Sequence, residues 1–177
     1  ILKRLLSFCI PIFFANFLQT FYALTDMAVV GRFVGETGLA AVANGISVAY
    51  IIGSVGAGLA VGGVVVIGHY WGAGHQKGRI ESIGTVLSLS FLAGVSLTPI
   101  CLIVIEPALY GMNVPESALS EAVDYLSILC LGNVFLYCAT SLSFVMRGLG
   151  DSRLPLYFTL FGGLINIGLD IGLVVFC

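Results

Sequence analysis

The stretch LPLYFTLFGGLINIGLDIGLVVFC, Leu154 to Cys177, is apolar over enough residues to cross a bilayer as one helix. Two side chains within it are ones that hydrocarbon should reject, Asn166 and Asp170. They are four residues apart, so a helix puts them on one face, one turn above the other. Extending that stripe backwards gives Phe158, Gly162, Asn166 and Asp170, with the glycine leaving a gap beside the amide. A carboxylate inside a membrane helix is expensive and commonly marks an ion or proton path.

The rest of the chain has the composition of a membrane protein. Of its 177 residues 59 % are hydrophobic and 9 % are charged, with a mean hydropathy of +1.10. A soluble domain carries about 25 % charged residues, so this chain could not cover itself with a polar surface. The net charge of -2 rests on few groups, and neither a basic patch for nucleic acid nor a nucleotide-binding loop is present in the sequence. Twenty-three glycines in so apolar a chain fit close helix packing. The five cysteines fall in or beside apolar runs without metal-ligand spacing, and read as small packing residues. The chain opens Ile1-Leu2-Lys3-Arg4 and closes in an apolar run, as a piece of a longer protein would. Its first apolar segment is too long for a signal peptide and has no small-residue cleavage site.

A spanning helix needs roughly 20 mostly apolar residues. Five segments qualify, at about 5–30, 39–67, 80–105, 117–145 and 155–177. The segments on the N-terminal side of the membrane hold Lys3, Arg4, Lys77, Arg79, Arg147 and Arg153, six of the seven Lys and Arg residues; only Arg32 lies opposite. By the positive-inside rule the N-terminus is cytoplasmic.

Helix 1 is expected to kink at Pro11, where one backbone hydrogen bond is lost. It also carries Asn16, Gln19, Tyr22 and a second acid, Asp26. Asp26 lies about 34 Å along the helix from Lys3, and Asp170 about 22 Å from Pro155. With both helices started at the cytoplasmic face, the two acids share the outer half of the membrane, Asp26 nearer the surface. Helix 2 offers a small-residue ladder, Gly45, Ala49, Gly53 and Ala57 on one face and Ser54, Gly58 and Gly62 on another. His69 and His75 read as loop residues. Helix 4 carries Asn133, Tyr137, Thr140 and Ser141 in one polar stripe, with Ser143 beside it. That stripe is either a cavity wall or a set of helix-to-helix hydrogen bonds. Asp151 and Ser152 are placed to cap helix 5, with Pro155 in its first turn.

Three features together resemble a known family: Pro11 with Gln19, Tyr22 and Asp26; the turn MRGLGDSRLPLYF, Met146 to Phe158; and Asn166-x-x-x-Asp170. The chain resembles the N-terminal lobe of multidrug and toxin extrusion (MATE) transporters of the prokaryotic type, over essentially its whole length. The resemblance implies an all-α integral membrane fold. Residues 1–177 would be five helices of a six-helix lobe, in a twelve-helix transporter of two lobes. It implies no cofactor and no enzyme activity, but antiport of organic compounds, often cationic and amphipathic, against Na+ or H+ at the plasma (inner) membrane. Asp26, Asn166 and Asp170 match the cation-linked site, where Na+ is the one metal ion expected. Gln19 and Tyr22 match cavity-lining positions, and Pro11 matches the proline linked to bending of helix 1. The stripe of Asn133, Tyr137, Thr140 and Ser143 is assigned to the substrate cavity. The helix 4 positions where some members carry asparagine are Ala139, Thr140 and Ser143 here, a departure from the family pattern. The expected partners are small organic substrates, the lipid bilayer and the second lobe of the same protein, with no nucleic acid. Two rivals are a flippase for lipid-linked sugars and a non-transporting membrane assembly subunit. The flippase would want a basic cavity, and no Lys or Arg lies in mid-span.

Overall fold

The computed structural model describes residues 2–33, 36–112 and 114–176. Within its helices, the side chains of 4, 30, 33, 36–42, 44, 45, 47, 117, 118, 170, 171 and 173–176 are left undescribed. The elements are α1 (Leu2–Phe33), α2 (Glu36–Gly72), α3 (Gln76–Gly111), α4 (Glu116–Leu131), α5 (Asn133–Gly148) and α6 (Arg153–Phe176). Three stretches are long and apolar enough to cross a membrane alone: Leu5–Val29, Val48–Gly72 and Gln76–Gly111. The α4–α5 pair passes the same test as one span bent by 52°. In α6 the described apolar stretch is Arg153–Leu169.

Two expectations about the helices change. The single helix expected over 117–145 is two helices, broken at Gly132. α3 runs on through Glu106 and Pro107 to Gly111 rather than ending near 105. Hydropathy could not reveal the break, because apolar residues continue on both sides of it. Pro11 lies inside α1, which passes it without interruption.

The chain forms two compact units, residues 1–39 with 150–177, and residues 40–149. In the first, α1 packs against α6. Pro11 and Ala15 are buried on α1, with Tyr22 and Asp26 half-buried further along. The opposite side of α1 holds Phe13, Phe14, Phe17, Phe21 and Leu24, each at least half exposed. In water such a surface would be unstable; against lipid tails it costs nothing, because hydrocarbon is as apolar as the side chains. Asp151 caps α6 as expected, its Oδ1 accepting from the amides of Arg153 at 2.9 Å and Leu154 at 3.2 Å. Gly150 just before it takes φ +88°, a left-handed conformation that glycine adopts without penalty.

In the second unit, α3 packs against α4 and α5. Glycines let α2 join them. A Cβ at Gly56 would meet the Tyr137 ring at 2.6 Å, and one at Gly63 would overlap Val86. The packed stripe of α2 is therefore Gly56, Ala60, Gly63 and Ile67, all buried. It is neither of the expected ladders. Gly53, Gly58 and Gly62 have open space where a Cβ would stand, and the Gly45 side of the ladder lies outside the described residues. Small residues recur on every face of α2, so spacing alone could not select one. His75 is not merely a loop residue: its Nδ1 accepts from the Gly78 amide at 3.0 Å and caps α3.

Candidate functional site

Of the three expected cation-site residues, Asp26 and Asn166 lie in the first unit with half-buried side chains, on helices that pack together. The backbone of Asp170 continues α6 one turn beyond Asn166, while its side chain lies outside the described residues.

The contact that sets the register of α1 on α6 is Tyr22 against Gly163. A Cβ at 163 would overlap the tyrosine ring, so only glycine accommodates the ring where it lies. From that contact Asp26 stands about 6 Å further along α1, and position 170 about 10 Å further along α6. α1 has twenty residues before Tyr22 and α6 has ten before Gly163, so the contact pairs positions at different distances along the two helices.

The same contact corrects the stripe on α6. Phe158 is 59 % exposed and Gly162 has nothing near its Cβ position. The side of α6 turned inward is Pro155 and Gly163, buried, with Thr159, Asn166 and Ile167 half-buried. Steps of four residues advance by more than one full turn, so an i, i+4, i+8 stripe drifts across a face that i, i+4, i+7 keeps to. Gly163 is the packing position beside the candidate site that sequence reasoning missed. The signal was the Gly162-Gly163 pair, but only the packing tells which of the two is needed.

The Tyr22 hydroxyl is buried and makes no hydrogen bond to the protein among the described residues. It lies one turn before Asp26 on the same face of α1. Gln19, on the same helix, is exposed. Thr25 is already engaged, its Oγ1 donating to the Phe21 carbonyl at 3.0 Å.

The remaining expected cavity residues belong to the second unit and divide into two kinds. Tyr137 is 1 % exposed, with its ring on Gly56 and its hydroxyl donating to the Ile52 carbonyl at 2.5 Å. Asn133 is 4 % exposed. Neither is a cavity wall within its unit; the alternative of helix-to-helix bonding is what the geometry supports for Tyr137. Ser141 joins it, paired with Ser90 of α3 at 2.5 Å. Thr140 and Ser143 are half-buried, and the Ser143 hydroxyl donates to the Ala139 carbonyl at 3.0 Å. The stripe therefore splits because its inner edge is used up in packing. An open groove of about 440 Å³ lies between α2 and α3, over Gly58, Gly62 and Leu89. Among the described residues no three His, Cys, Asp or Glu side chains converge as a metal cluster.

Comparison with known proteins agrees with this architecture. The family model MatE matches residues 11–171. A probable multidrug resistance protein, YoeA of Bacillus subtilis, is 31 % identical over 162 residues, covering 92 % of this chain and 35 % of that protein. A crystal structure described as MATE in the bent conformation superposes with a TM-score of 0.89 at 28 % identity, over 96 % of this chain and 38 % of that one. A transporter of the MOP superfamily from Pyrococcus furiosus gives a TM-score of 0.87 at 28 % identity, over 96 % and 37 %. Its description reports a binding pocket of reversed polarity and a different function for that protein. The chain thus spans little more than a third of the length of the relatives it matches. These likenesses and the apolar helices make it a multi-pass membrane protein of transporter rather than enzyme lineage. On the extent of the family match and the agreement of fold, the chain belongs to the MatE family of multidrug and toxin extrusion proteins.

Proposed function

We propose that the chain is the N-terminal lobe, up to its fifth span, of a secondary antiporter that exports organic compounds in exchange for Na+ or H+. The observation that carries this reading is the packed pair α1–α6, which puts Asp26 and Asn166 on adjoining helices one turn from the Tyr22–Gly163 contact. Asp170, one turn past Asn166, completes the set as proposed. Burial raises the proton affinity of a carboxylate, and a second carboxylate nearby raises that of one of the pair further. Such a site takes up a cation or a proton to relieve its charge. Asn166 can turn its carbonyl toward Na+ or its NH2 toward a carboxylate.

In this reading ion binding alters the charge between α1 and α6 and so biases α1, whose hydrogen-bond ladder is already one bond short at Pro11. Movement of α1 then releases an organic, often cationic and amphipathic, substrate outward. Gln19 on α1, and Thr140 and Ser143 on α5, are the polar positions proposed to meet substrate, each within its own unit. The distribution of Lys and Arg supports a cytoplasmic N-terminus, and the likeness to bacterial multidrug resistance proteins supports the plasma membrane. The relatives named as multidrug resistance proteins support export of organic compounds.

The test is efflux of a fluorescent organic cation from proteoliposomes of the complete transporter, with Na+ and pH gradients imposed separately. Efflux driven by one or both gradients is expected. Facilitated leak that ignores both would overturn antiport.

A further inference from the structure

The break in the fourth span leaves more polar groups without partners than the surrounding protein satisfies. Gly132, between α4 and α5, has φ -76° and ψ -11°. Its amide still donates to the Ile128 carbonyl at 3.2 Å, and its carbonyl accepts from the Leu136 amide at 3.0 Å. Between these two bonds the helical ladder is open. The first amides of α5 and the last carbonyls of α4 therefore have no partner within their own helices. The protein closes part of the gap from α3, where Thr98 Oγ1 donates to the Cys130 carbonyl at 3.1 Å.

A second, independent observation lies at the same place. Asn133 is 4 % exposed, and its Nδ2 is buried without a hydrogen-bond partner. It is the first residue of α5, and helical side chains lean toward their helix N-terminus, which here is the break. The side of the break that faces α3 is enclosed. Cys130 and Leu126 are at most 1 % exposed, and a Cβ at Gly94 of α3 would meet the Val134 Cα at 2.8 Å.

A buried polar group left unpaired is costly, so the Asn133 amide, with two helix ends beside it, calls for a ligand. The helix ends decide its charge. α4 ends there with its negative pole and α5 begins with its positive pole, about half an elementary charge each. Meeting across one residue, the two fields largely cancel. An ion of either sign would gain little from them, and the nearest carboxylate on these helices, Asp124, is exposed. A neutral molecule that donates and accepts fits both poles.

We propose that the α4–α5 break is a buried water site. Water there accepts from Asn133 Nδ2 and the first amides of α5, and donates to the Leu129 and Leu131 carbonyls. With the Thr98 bond it replaces the missing turn of helix and makes the 52° bend a stable feature of the span. The proposal does not depend on the transport reading.

The test is amide hydrogen exchange at single-residue resolution on the protein in lipid nanodiscs. The Val134 amide should exchange about tenfold or more faster than those of Leu126 and Ser141, which lie within unbroken helix. Equal protection would overturn the proposal, because an unbonded amide in a dry site cannot exchange. Hydroxyl-radical footprinting supplies a second arm: Cys130 should be oxidised despite its burial, and N133L should suppress that label by filling the site. A Cys130 left unlabelled in the unsubstituted protein would overturn the proposal even if N133L fails to fold. Protection of the Val134 amide that appears only with added Na+ or phosphate would also overturn it, in favour of an ion.

Discussion

The two units handle their buried polar groups in opposite ways. In residues 40–149 the hydroxyls are spent on other helices: Ser90 on Ser141, Tyr137 on the Ile52 carbonyl, and Thr98 on the Cys130 carbonyl. Two apolar clusters flank these bonds, one around Ile105, Leu109 and Leu126, the other around Ile67, Val86 and Val145. In the α1–α6 unit the defining contact is a ring lying on a glycine. The tyrosine of that contact keeps its hydroxyl unbonded, beside two helices that carry Asp26, Asn166 and Asp170. A unit whose buried hydroxyls bond across its helices, with the amide at the α4–α5 break left over, reads as a scaffold. A unit that concentrates acids and an unspent hydroxyl on one helix pair is where the proposed ion exchange would fall.

Substitutions in the two units should therefore read out differently. The largest effect on folding is expected from Gly94→Val, because a Cβ there meets the Val134 backbone, which cannot rotate aside as a side chain can. The expected loss is about 3 kcal/mol in a denaturation titration in mild detergent. Gly163→Ala provides the contrast. Its Cβ meets a tyrosine ring that can swing away, so we expect a stability loss of only about 1 kcal/mol. The ion-driven transport rate should fall further than that loss accounts for. If Gly163→Ala cost as much stability as Gly94→Val while leaving transport intact, the division of labour would be wrong.

Smaller effects sharpen the same contrast. Tyr137→Phe removes a satisfied hydroxyl and leaves the Ile52 carbonyl with its helical bond only, for an expected loss of about 1 kcal/mol. Tyr22→Phe removes an unbonded one, so stability should stay within about 0.5 kcal/mol of the parent or rise slightly. A loss as large as that of Tyr137→Phe would mean that the Tyr22 hydroxyl is bonded after all. The coupling between Ser90 and Ser141 is expected at about 0.6 kcal/mol in a double-mutant cycle of the two alanine substitutions.

Much of this was legible in the sequence because a bilayer demands long apolar runs, and those runs announce themselves. The long apolar helices and the Asp151 cap follow from spacing and composition. What could not be read is which face of a helix meets which neighbour. The stripe through Gly162 was off by one residue from Gly163, and the α2 ladders missed Gly56 and Gly63, because glycine-rich helices offer several equivalent faces. The break at Gly132 was hidden for a different reason. Hydropathy is blind to a local break in the backbone ladder, and the Gly132-Asn133 pair is a weak helix breaker seen without its context. Tyr137 looked available because its polarity was visible and its partner on α2 was not.

The central claim is that ion coupling resides on the α1–α6 pair. Its most direct test is organic-cation efflux in proteoliposomes under an imposed Na+ or pH gradient, comparing Asp26→Asn with Ser90→Ala in the complete transporter. The account predicts that Asp26→Asn abolishes gradient-driven efflux while the protein remains folded, and that Ser90→Ala keeps it. Gradient-driven efflux by Asp26→Asn at the parent rate would contradict the account.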